Sequence, residues 1–306
     1  MKNKLILLSM AALLSGCSSN YEHNLSIIAP TGAPALAFYN FASDSNFVTT
    51  NAPATLVADY MAPANKDVVV APTNVGVKAI VEQKVSYKIA ATLTFGNLFI
   101  GSTGNDDDGI MDKDDYIVVF QKKAVPGLVF KSVYGDEIYN TAHNVDDNSF
   151  AAQCLMTGTN ITVPSKDSVD YVLIAEPAFA NVLSKKENVK EYANLQLEYK
   201  NKYGVEYFQA SLFVKNGVDA NALLSTLEKD VDEVIKNGDL FTEKLSGMSD
   251  EQVQTMFGVA PQLAAKVTKN GNRMGLGFKK AKDNKEGIDK FLSLFGIDAT
   301  SEEIYY

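Results

Sequence analysis

The 306-residue sequence is poor in residues that carry much active-site chemistry: it has no tryptophan, two cysteines, two histidines and a single arginine. It has neither a paired-cysteine nor an H-E-x-x-H metal motif, and no G-x-S-x-G segment presents a nucleophilic serine. His23 lies in a polar N-terminal stretch and His143 in a polar loop or helix end, so histidine gives little support for a catalytic trio. We therefore predict a protein that is not an enzyme, with no catalytic residues, no metal site and no cofactor.

Positive charge is also in short supply, because 28 lysines and arginines face 37 aspartates and glutamates and leave a net charge of −9. A nucleic-acid partner needs a basic face, so no nucleic acid is expected among the partners. Beyond the N-terminal segment, the sequence has no run of about 18 apolar residues, the length that a membrane-spanning helix requires. The mature chain is therefore expected to have no transmembrane segment.

The N-terminal segment has the pattern of a bacterial lipoprotein leader. Two lysines precede an apolar stretch of about ten residues, and residues 14–17 read LSGC, which matches a lipobox ending at Cys17. We expect residues 1–16 to be removed, Cys17 to carry the lipid and residues 17–24 to form a tether. The protein would then be lipid-anchored at the extracytoplasmic face of the cell membrane. The alternative is an ordinary signal peptide with a chance cysteine.

Continuous Val- and Ile-rich runs alternate with helix-like segments up to about residue 205, as in KDVVVAP followed by TNVGVKAIVEQK. Such runs are typical of strands buried on both faces, the pattern of parallel sheets with crossover helices. We therefore predict the α/β class. Later segments are mostly helical, and apolar residues between positions 223 and 234 recur at helical spacing, so we expect them to be core. Cys154, whose only potential disulfide partner is the lipidated cysteine, is expected to be a small buried hydrophobic residue.

A loop rich in glycine and aspartate, residues 101–115, separates two strand–helix series, and a return crossing is expected near residues 204–212. The predicted organisation is two lobes, each a mainly parallel sheet flanked by helices, joined by a two-crossing hinge. Lobe 1 would comprise residues 25–104 and 208–306, and lobe 2 residues 105–207.

The acidic part of this loop, from Asp106 to Asp115, has a calcium-binding alternative. An EF-hand register, however, puts Gly104 where the first aspartate ligand is needed. A solvated acidic loop is therefore the favoured interpretation.

Small, polar or proline residues follow five of the predicted strands, as in the segment IIAPTGAP at residues 27–34. In open parallel sheets, ligands bind beyond the carboxyl ends of the strands, where helices begin and their first N–H groups lack partners. If the two lobes face each other, these strand ends converge on one gap. The predicted ligand-binding residues are Thr31, Gly32, Ala33, Thr73, Asn74, Thr94, Phe95, Gly96, Asn97, Ala124, Val125 and Glu176.

Each of these motifs also has a purely structural interpretation. The TGAP segment is compatible with ordinary strand-to-helix geometry, and Glu176 is compatible with a cap on the helix that follows it. Phe95 and Tyr60 offer rings for stacking on a flat ligand, whereas Phe38 and Tyr39 are expected to belong to the core.

Several segments, taken in chain order with the lipobox, resemble bacterial ABC-transporter substrate-binding lipoproteins of the nitrate/sulfonate/taurine or pyrimidine-precursor group. They include APTGAPALAFYNFA, VVVAPTNVGVKAI, YKIAATLTFGNLFI, VVFQKKAVPGLVFKSVYG and YVLIAEPAFANVL. The resemblance implies a two-lobed periplasmic-binding-protein-like type II fold that closes on a small-molecule solute and delivers it to the transmembrane subunits of an ABC permease. We expect a monomer, held at the membrane by its lipid. The aspartate-rich insertion at residues 106–108 is longer than the resemblance leads us to expect.

Solute capture for import is therefore the predicted function. The alternatives are an enzyme or a protein-binding surface lipoprotein on the same fold, and the latter would present an exposed apolar patch in place of a closed polar cleft. No arginine occurs in the five motifs, and the single one, Arg273, lies far along the chain. Because a strongly anionic ligand is usually held by a guanidinium group, the sequence favours a neutral or zwitterionic small organic molecule over nitrate or a sulfonate.

Overall fold

The computed structural model describes residues 23–162 and 168–306, so the predicted leader and Cys17, the predicted lipidation site, lie outside the described residues. Its strands are, in chain order, β1 (Ile27–Pro30), β2 (Phe47–Thr50), β3 (Val68–Pro72), β4 (Tyr87–Thr94), β5 (Leu98–Ser102), β6 (Ile117–Phe120), β7 (His143–Val145), β8 (Tyr171–Ala175), β9 (Lys190–Asn194), β10 (Ala210–Lys215) and β11 (Leu276–Lys280). Its α-helices are α1 (Ala33–Leu36), α2 (Thr73–Val81), α3 (Val125–Thr141), α4 (Asn148–Thr157), α5 (Ala178–Leu183), α6 (Leu195–Tyr203), α7 (Asn221–Lys236), α8 (Leu240–Lys244), α9 (Asp250–Phe257), α10 (Pro261–Lys269) and α11 (Lys285–Ser293).

The strands form two sheets, with the orders β11-β4-β10-β3-β1-β2 and β7-β6-β8-β5-β9. In the first sheet β1, β2, β3 and β4 run in one direction, and β10 and β11 run in the other. In the second sheet β5 runs antiparallel to the other four strands, β6, β7, β8 and β9. Helices pack on both sheets, for example α7 on β11 and α4 on β8. The predicted α/β class with two mainly parallel sheets is confirmed.

The Val-rich run of β3 shows how the first sheet is buried on both faces. Val68, Val69 and Val70 have no exposed surface, and their side chains alternate between the two faces, as the strand period of two requires. Val68 and Val70 join a core cluster with α7 and α9. Val69 joins a second cluster that continues into the second sheet. The first sheet is therefore covered on both sides, which explains its nearly continuous apolar strands.

Two predictions about buried side chains are confirmed. The core positions predicted between 223 and 234 lie on one face of α7 and are buried; they are Leu223, Leu224, Leu227, Val231 and Val234. Cys154 is fully buried in α4, and this burial raises the pKa of its thiol, as expected of an inert small hydrophobic residue. Within the two described ranges, no helix combines the length and the apolar character needed to cross a bilayer.

The chain passes between the two sheets twice. It leaves the first sheet after β4, through residues 95–97, and returns after α6, through residues 204–209. The second crossing lies within the stretch expected for it. The first precedes β5, which pairs with β8 and β9 in the second sheet. The loop rich in glycine and aspartate connects β5 to β6 inside that sheet, so the composition change marks a loop within the second lobe and the passage between lobes comes earlier.

Candidate functional site

A cleft lies where the carboxyl ends of strands from both sheets meet. β1 and β3 end at its first-sheet wall with Pro30 and Pro72, and β6 and β8 end at its second-sheet wall with Phe120 and Ala175. The cavity has a volume of about 600 Å³, inside the ~300–1,000 Å³ range of typical small-molecule sites. Strand ends from both lobes therefore converge on one gap.

Eight of the predicted ligand-binding residues line this cleft. From the first lobe and the first crossing come Thr31, Gly32, Ala33, Asn74 and Asn97, and from the second lobe come Ala124, Val125 and Glu176. The other four, Thr73, Thr94, Phe95 and Gly96, lie outside the lining.

Thr73 and Thr94 are buried inside the fold and do not line the cleft. Thr73 is fully buried, and its Oγ1 lies 2.7 Å from the Oγ of Ser211 on β10. Thr94, the last residue of β4, is also fully buried. The alternation of side chains at the ends of these strands therefore puts both threonines inside the fold.

Phe95 and Gly96 serve the packing around the first crossing. The ring of Phe95 meets that of Phe208 edge to face, with centroids 5.6 Å apart. Gly96 has φ +95°, and a Cβ added there would lie 2.2 Å from the ring of Tyr207. The glycine thus makes room for a buried tyrosine, which explains its small size without a ligand.

Two backbone N–H groups that we expected to be free for a ligand are already used. Thr31 donates to the carbonyl of Thr50 and Gly32 to that of Phe257, both at 2.9 Å. The Thr31 hydroxyl also donates to Asn51 Oδ1 at 2.7 Å. The expectation of unpaired amides is therefore wrong at this strand end, because the last residue of β2 and the last residue of α9 accept both N–H groups.

Asn74 carries an unsatisfied polar group in the cleft. It lies in the first turn of α2 and lines the cavity, and its Oδ1 is buried with no hydrogen-bond partner among the described residues. Leaving a buried acceptor without a partner costs about 1–3 kcal/mol. A ligand N–H or O–H group would recover that energy once lobe closure or a turn of the Asn74 side chain brings this oxygen within its reach.

The floor of the cleft joins the two crossings to the second sheet. Asn97 lies in the first crossing. Its side-chain Nδ2 donates to the backbone carbonyl of Glu176 at 2.9 Å, and its backbone carbonyl accepts the Glu176 N–H at the same distance. Gln209, in the second crossing, donates through Nε2 to Asn97 Oδ1 at 3.3 Å. Both crossings and the end of β8 are thus held in one hydrogen-bonded network.

The carboxylate of Glu176 is engaged inside the protein. Its Oε2 accepts the N–H of Ala180 at 2.8 Å and so caps α5, and its Oε1 accepts from Arg273 Nε at 2.6 Å. The side chain of Glu176 has no exposed surface. Burial alone lowers the pKa of Arg273, but its hydrogen bonds to Glu191 and Glu176 and the charges of both carboxylates outweigh burial and raise it. Glu176 therefore caps α5, as the alternative interpretation of the sequence predicted.

The aromatic and cationic side chains of the cleft are not among the ligand-binding residues predicted from the sequence. Phe120 ends β6, Phe295 follows α11, and Lys123 precedes α3; all three line the cavity. Phe120 and Lys123 lie within the segment VVFQKKAVPGLVFKSVYG identified above, so a local signal existed for them. Phe295 and Gln209 come from distant parts of the chain, and no local pattern marks them as cleft residues.

The remaining candidates lie elsewhere. His143 starts β7 at the edge of the second sheet and stacks on Tyr116, with ring centroids 4.0 Å apart, and is not part of the cleft lining. In the acidic loop, Asp106 accepts the hydroxyl of Tyr171 at 2.6 Å and Asp115 accepts the N–H of Asp112 at 2.6 Å. Within the part of the chain that the structure describes, no group of three or more histidines, cysteines or acidic residues is arranged to hold a metal ion.

A scan against models of known protein families finds no match for this chain, and a search of curated proteins finds none either.

Solved structures are similar over almost the whole chain. A crystal structure described as an ABC transporter from Parabacteroides distasonis is 13% identical, with 88% of this chain and 91% of that chain covered and a TM-score of 0.67. The periplasmic aliphatic sulphonate-binding protein SsuA from Escherichia coli is 12% identical, with 89% and 86% covered and a TM-score of 0.63. A periplasmic sulfonate-binding protein SsuA from Methylobacillus flagellatus is 12% identical, with 92% and 90% covered and a TM-score of 0.57.

At these identities the likeness concerns the fold. The chain is similar in structure to ABC-transporter substrate-binding proteins, and the predicted two-lobed periplasmic-binding-protein-like fold is confirmed.

Proposed function

We propose that this protein captures a small organic solute in the cleft between its lobes and delivers it to the transmembrane subunits of an ABC importer. The observation that carries the proposal is the cavity of about 600 Å³ walled by strand ends of both sheets. Closure of the lobes over a solute would remove it from water, which strengthens each hydrogen bond to it. Closure would also turn occupancy into a shape that the permease can recognise. This role requires no covalent chemistry, so the protein acts as a binding protein and not as an enzyme.

The chemistry of the cleft favours a neutral or zwitterionic solute with an apolar body. Asn74 Oδ1 needs a donor, whereas Lys123 supplies a cation beside the first turn of α3 for an acceptor or a carboxylate. The Glu176 carboxylate is engaged by Arg273 and does not compete for this cation. Phe120 and Phe295 line the cleft from the two lobes and would cover the apolar part of the solute.

The proposal includes two moving lobes, with bounds taken from the two sheets, and the membrane location that the sequence indicates. The lobes would move as two bodies about residues 95–97 and 204–209, with residues 25–94 and 210–306 in the first and residues 98–203 in the second. Lipidation of Cys17 would hold a monomer at the extracytoplasmic face of the membrane, near the permease. The neighbours SsuA, which are described as sulfonate-binding, make a sulfonate the alternative solute against which this cleft should be compared.

Mass spectrometry of small molecules released from the purified, denatured protein tests the proposal. A neutral or zwitterionic organic molecule is expected, at close to one per protein chain. The amount of solute retained by N74A should be lower than that of the unmodified protein by a factor of about ten or more. A lost hydrogen bond of about 1.4 kcal/mol corresponds to a factor of ten in affinity. Recovery of a sulfonate would correct the solute class and leave the capture function in place.

N216A is the matched control, because Asn216 is exposed and pairs with Ser86 far from the cleft. This variant should retain the solute at the level of the unmodified protein. Full retention by N74A would move the binding site away from this cleft. Absence of any released molecule, together with no thermal stabilisation by vitamins, pyrimidines, sulfonates or amino acids, would overturn the capture function.

A further inference from the structure

The single arginine of the chain reaches from one lobe into the other. Arg273 lies between α10 and β11, in the lobe of the first sheet. Its Nε donates to Glu176 Oε1 at 2.6 Å, and its Nη1 donates to Glu191. Glu176 follows β8 and Glu191 lies in β9, so both carboxylates belong to the second sheet.

The guanidinium group sits in a built site. Its Cζ lies 3.9 Å from the ring centroid of Phe99 on β5 and 5.5 Å from that of Phe179 on α5. The Arg273 side chain is 13% exposed and that of Glu176 is fully buried. A planar guanidinium pairs with two carboxylates while it stacks on an aromatic face, a combination that the point charge of a lysine does not reproduce.

This contact is continuous with the floor of the cleft. Glu176 exchanges hydrogen bonds with Asn97, and Asn97 accepts from Gln209. Asn97 and Gln209 lie in the two crossings. Arg273 therefore acts on a residue of the second sheet that is bonded to the first crossing and lines the cavity.

We propose that Arg273 is a positioning residue that sets the orientation of the second lobe against the first and keeps the Glu176 carboxylate away from the solute. The role in lobe orientation stands on the contacts alone. The role in solute binding rests on the proposed function, and separate measurements of shape and of solute retention distinguish the two.

Small-angle X-ray scattering of the solute-free protein tests the first role. R273Q should have a larger radius of gyration than the unmodified protein, and R273K should fall between the two because it retains the charge but not the fork. A role confined to stability would lower the unfolding midpoint of R273Q and leave the scattering of the folded protein unchanged. That scattering result would overturn the proposal.

R273Q leaves the buried Glu176 carboxylate without its ion-pair partner and can fail to fold for that reason. The double variant R273Q/E176Q removes both buried charges together and keeps the test available. It should fold and still show the larger radius of gyration, and a profile identical to that of the unmodified protein would refute the positioning role. K269Q is the control, because Lys269 pairs with Asp239 on the surface of the first lobe and its loss should leave the scattering unchanged.

Release of the bound solute, measured by mass spectrometry on the same variants, tests the second role. R273Q/E176Q should lose most of the solute that the unmodified protein retains, whereas K269Q should lose none. If the scattering changes but the unmodified protein holds no solute and none of the candidate solutes raises its unfolding midpoint, the proposed function fails and the positioning role stands. If the unmodified protein holds solute and the double variant keeps all of it at unchanged scattering, the positioning role fails alone.

Discussion

Gly275 and Gly96 approach each other at the first crossing with no room for a side chain between them. The carbonyl of Gly275 accepts the N–H of Phe95 at 2.8 Å. A Cβ added to Gly275, where φ is +64°, would lie 1.9 Å from the carbonyl oxygen of Gly96. This approach holds the loop before β11 against the crossing and brings Arg273, two residues earlier, within reach of the second sheet. The absence of a side chain at Gly275 thus lets Arg273 make its contact with the second lobe.

We predict that G275A destabilises the protein more than G217A does. Gly217 also has a positive φ, +82°, but a Cβ there meets nothing within 4 Å. G217A should therefore cost only the backbone term, about 1–2 kcal/mol. G275A adds a steric clash with backbone, which should raise the cost by a further ~1–3 kcal/mol. Urea unfolding monitored by circular dichroism measures both, and equal costs would mean that the crossing can move aside.

Glu176 shows how far a single residue can be interpreted from its neighbours in sequence. A cap on the following helix could be predicted, because the helix begins two residues later at Ala178. The pairing with Arg273 could not, since the two residues are 97 positions apart and meet only when the loop before β11 reaches the second sheet. A carboxylate beside a cleft was therefore assigned to the ligand when it belongs to an ion pair.

At the scale of elements, the second crossing is tied to both lobes by one carboxylate. Glu206 pairs with Lys279 of β11 and, at 3.5 Å, with Lys200 of α6. Burial alone raises the pKa of Glu206, but the hydrogen bond and charge of Lys279, and then those of Lys200, outweigh it and lower the pKa below 4.5. The charged form of Glu206 is therefore the one that the folded protein stabilises.

This shift predicts a pH dependence of stability. Because the pKa of Glu206 is lower in the folded than in the unfolded protein, its contribution is present above 4.5 and is lost as the pH falls through the folded value. E206Q should lower the unfolding midpoint by about 2–4 °C near pH 6, and this difference from the unmodified protein should shrink as the pH falls below 4.5. Differential scanning calorimetry at several pH values measures it.

E233Q provides the comparison for this prediction, because Glu233 pairs with Lys229 on the exposed surface of α7. Its midpoint should stay close to that of the unmodified protein across the range. A difference between E206Q and the unmodified protein that grows on acidification would contradict a lowered pKa of Glu206 in the folded protein.

Helix starts were easier to predict than helix lengths. The small residues after β1 indicate the start of a helix, but α1 spans only Ala33–Leu36 and a short 3-10 helix, Tyr39–Phe41, follows it. Phe38 and Tyr39 are buried, as expected, and they pack on Phe47 and Phe241. Tertiary contacts of the aromatic rings thus override the local tendency to continue one helix.

At the scale of the whole molecule, the C-terminal segment braces both lobes. In α11, Lys290 donates to the carbonyl of Tyr203 at the end of α6, at 2.6 Å. Phe295 then reaches the cleft, and the N–H of Tyr306 donates to the carbonyl of Ile89 on β4 at 3.0 Å. The chain end therefore contributes a wall of the cleft while it is fastened to the first sheet.

We predict that the protein becomes more compact when it binds its solute. The cleft is bounded by two lobes joined at two crossings, so closure should reduce the radius of gyration and slow the hydrogen exchange of backbone amides lining the cleft. Scattering and exchange with and without the recovered solute measure this. N74A at the same solute concentration should show a smaller change, and an unchanged radius at saturation would favour a rigid site or a protein-binding surface.

Strand and helix periods and the small residues at strand ends are local properties, so they are enough to predict the elements and the α/β class. Those local signals suffice to predict two mainly parallel sheets and eight residues of the cleft lining. Which polar groups bond within the protein and which face the gap depends on contacts between distant parts of the chain. Contacts between distant segments place Phe295, Gln209 and Arg273. Such contacts depend on how two separately packed sheets meet, and no local pattern of residues encodes that arrangement.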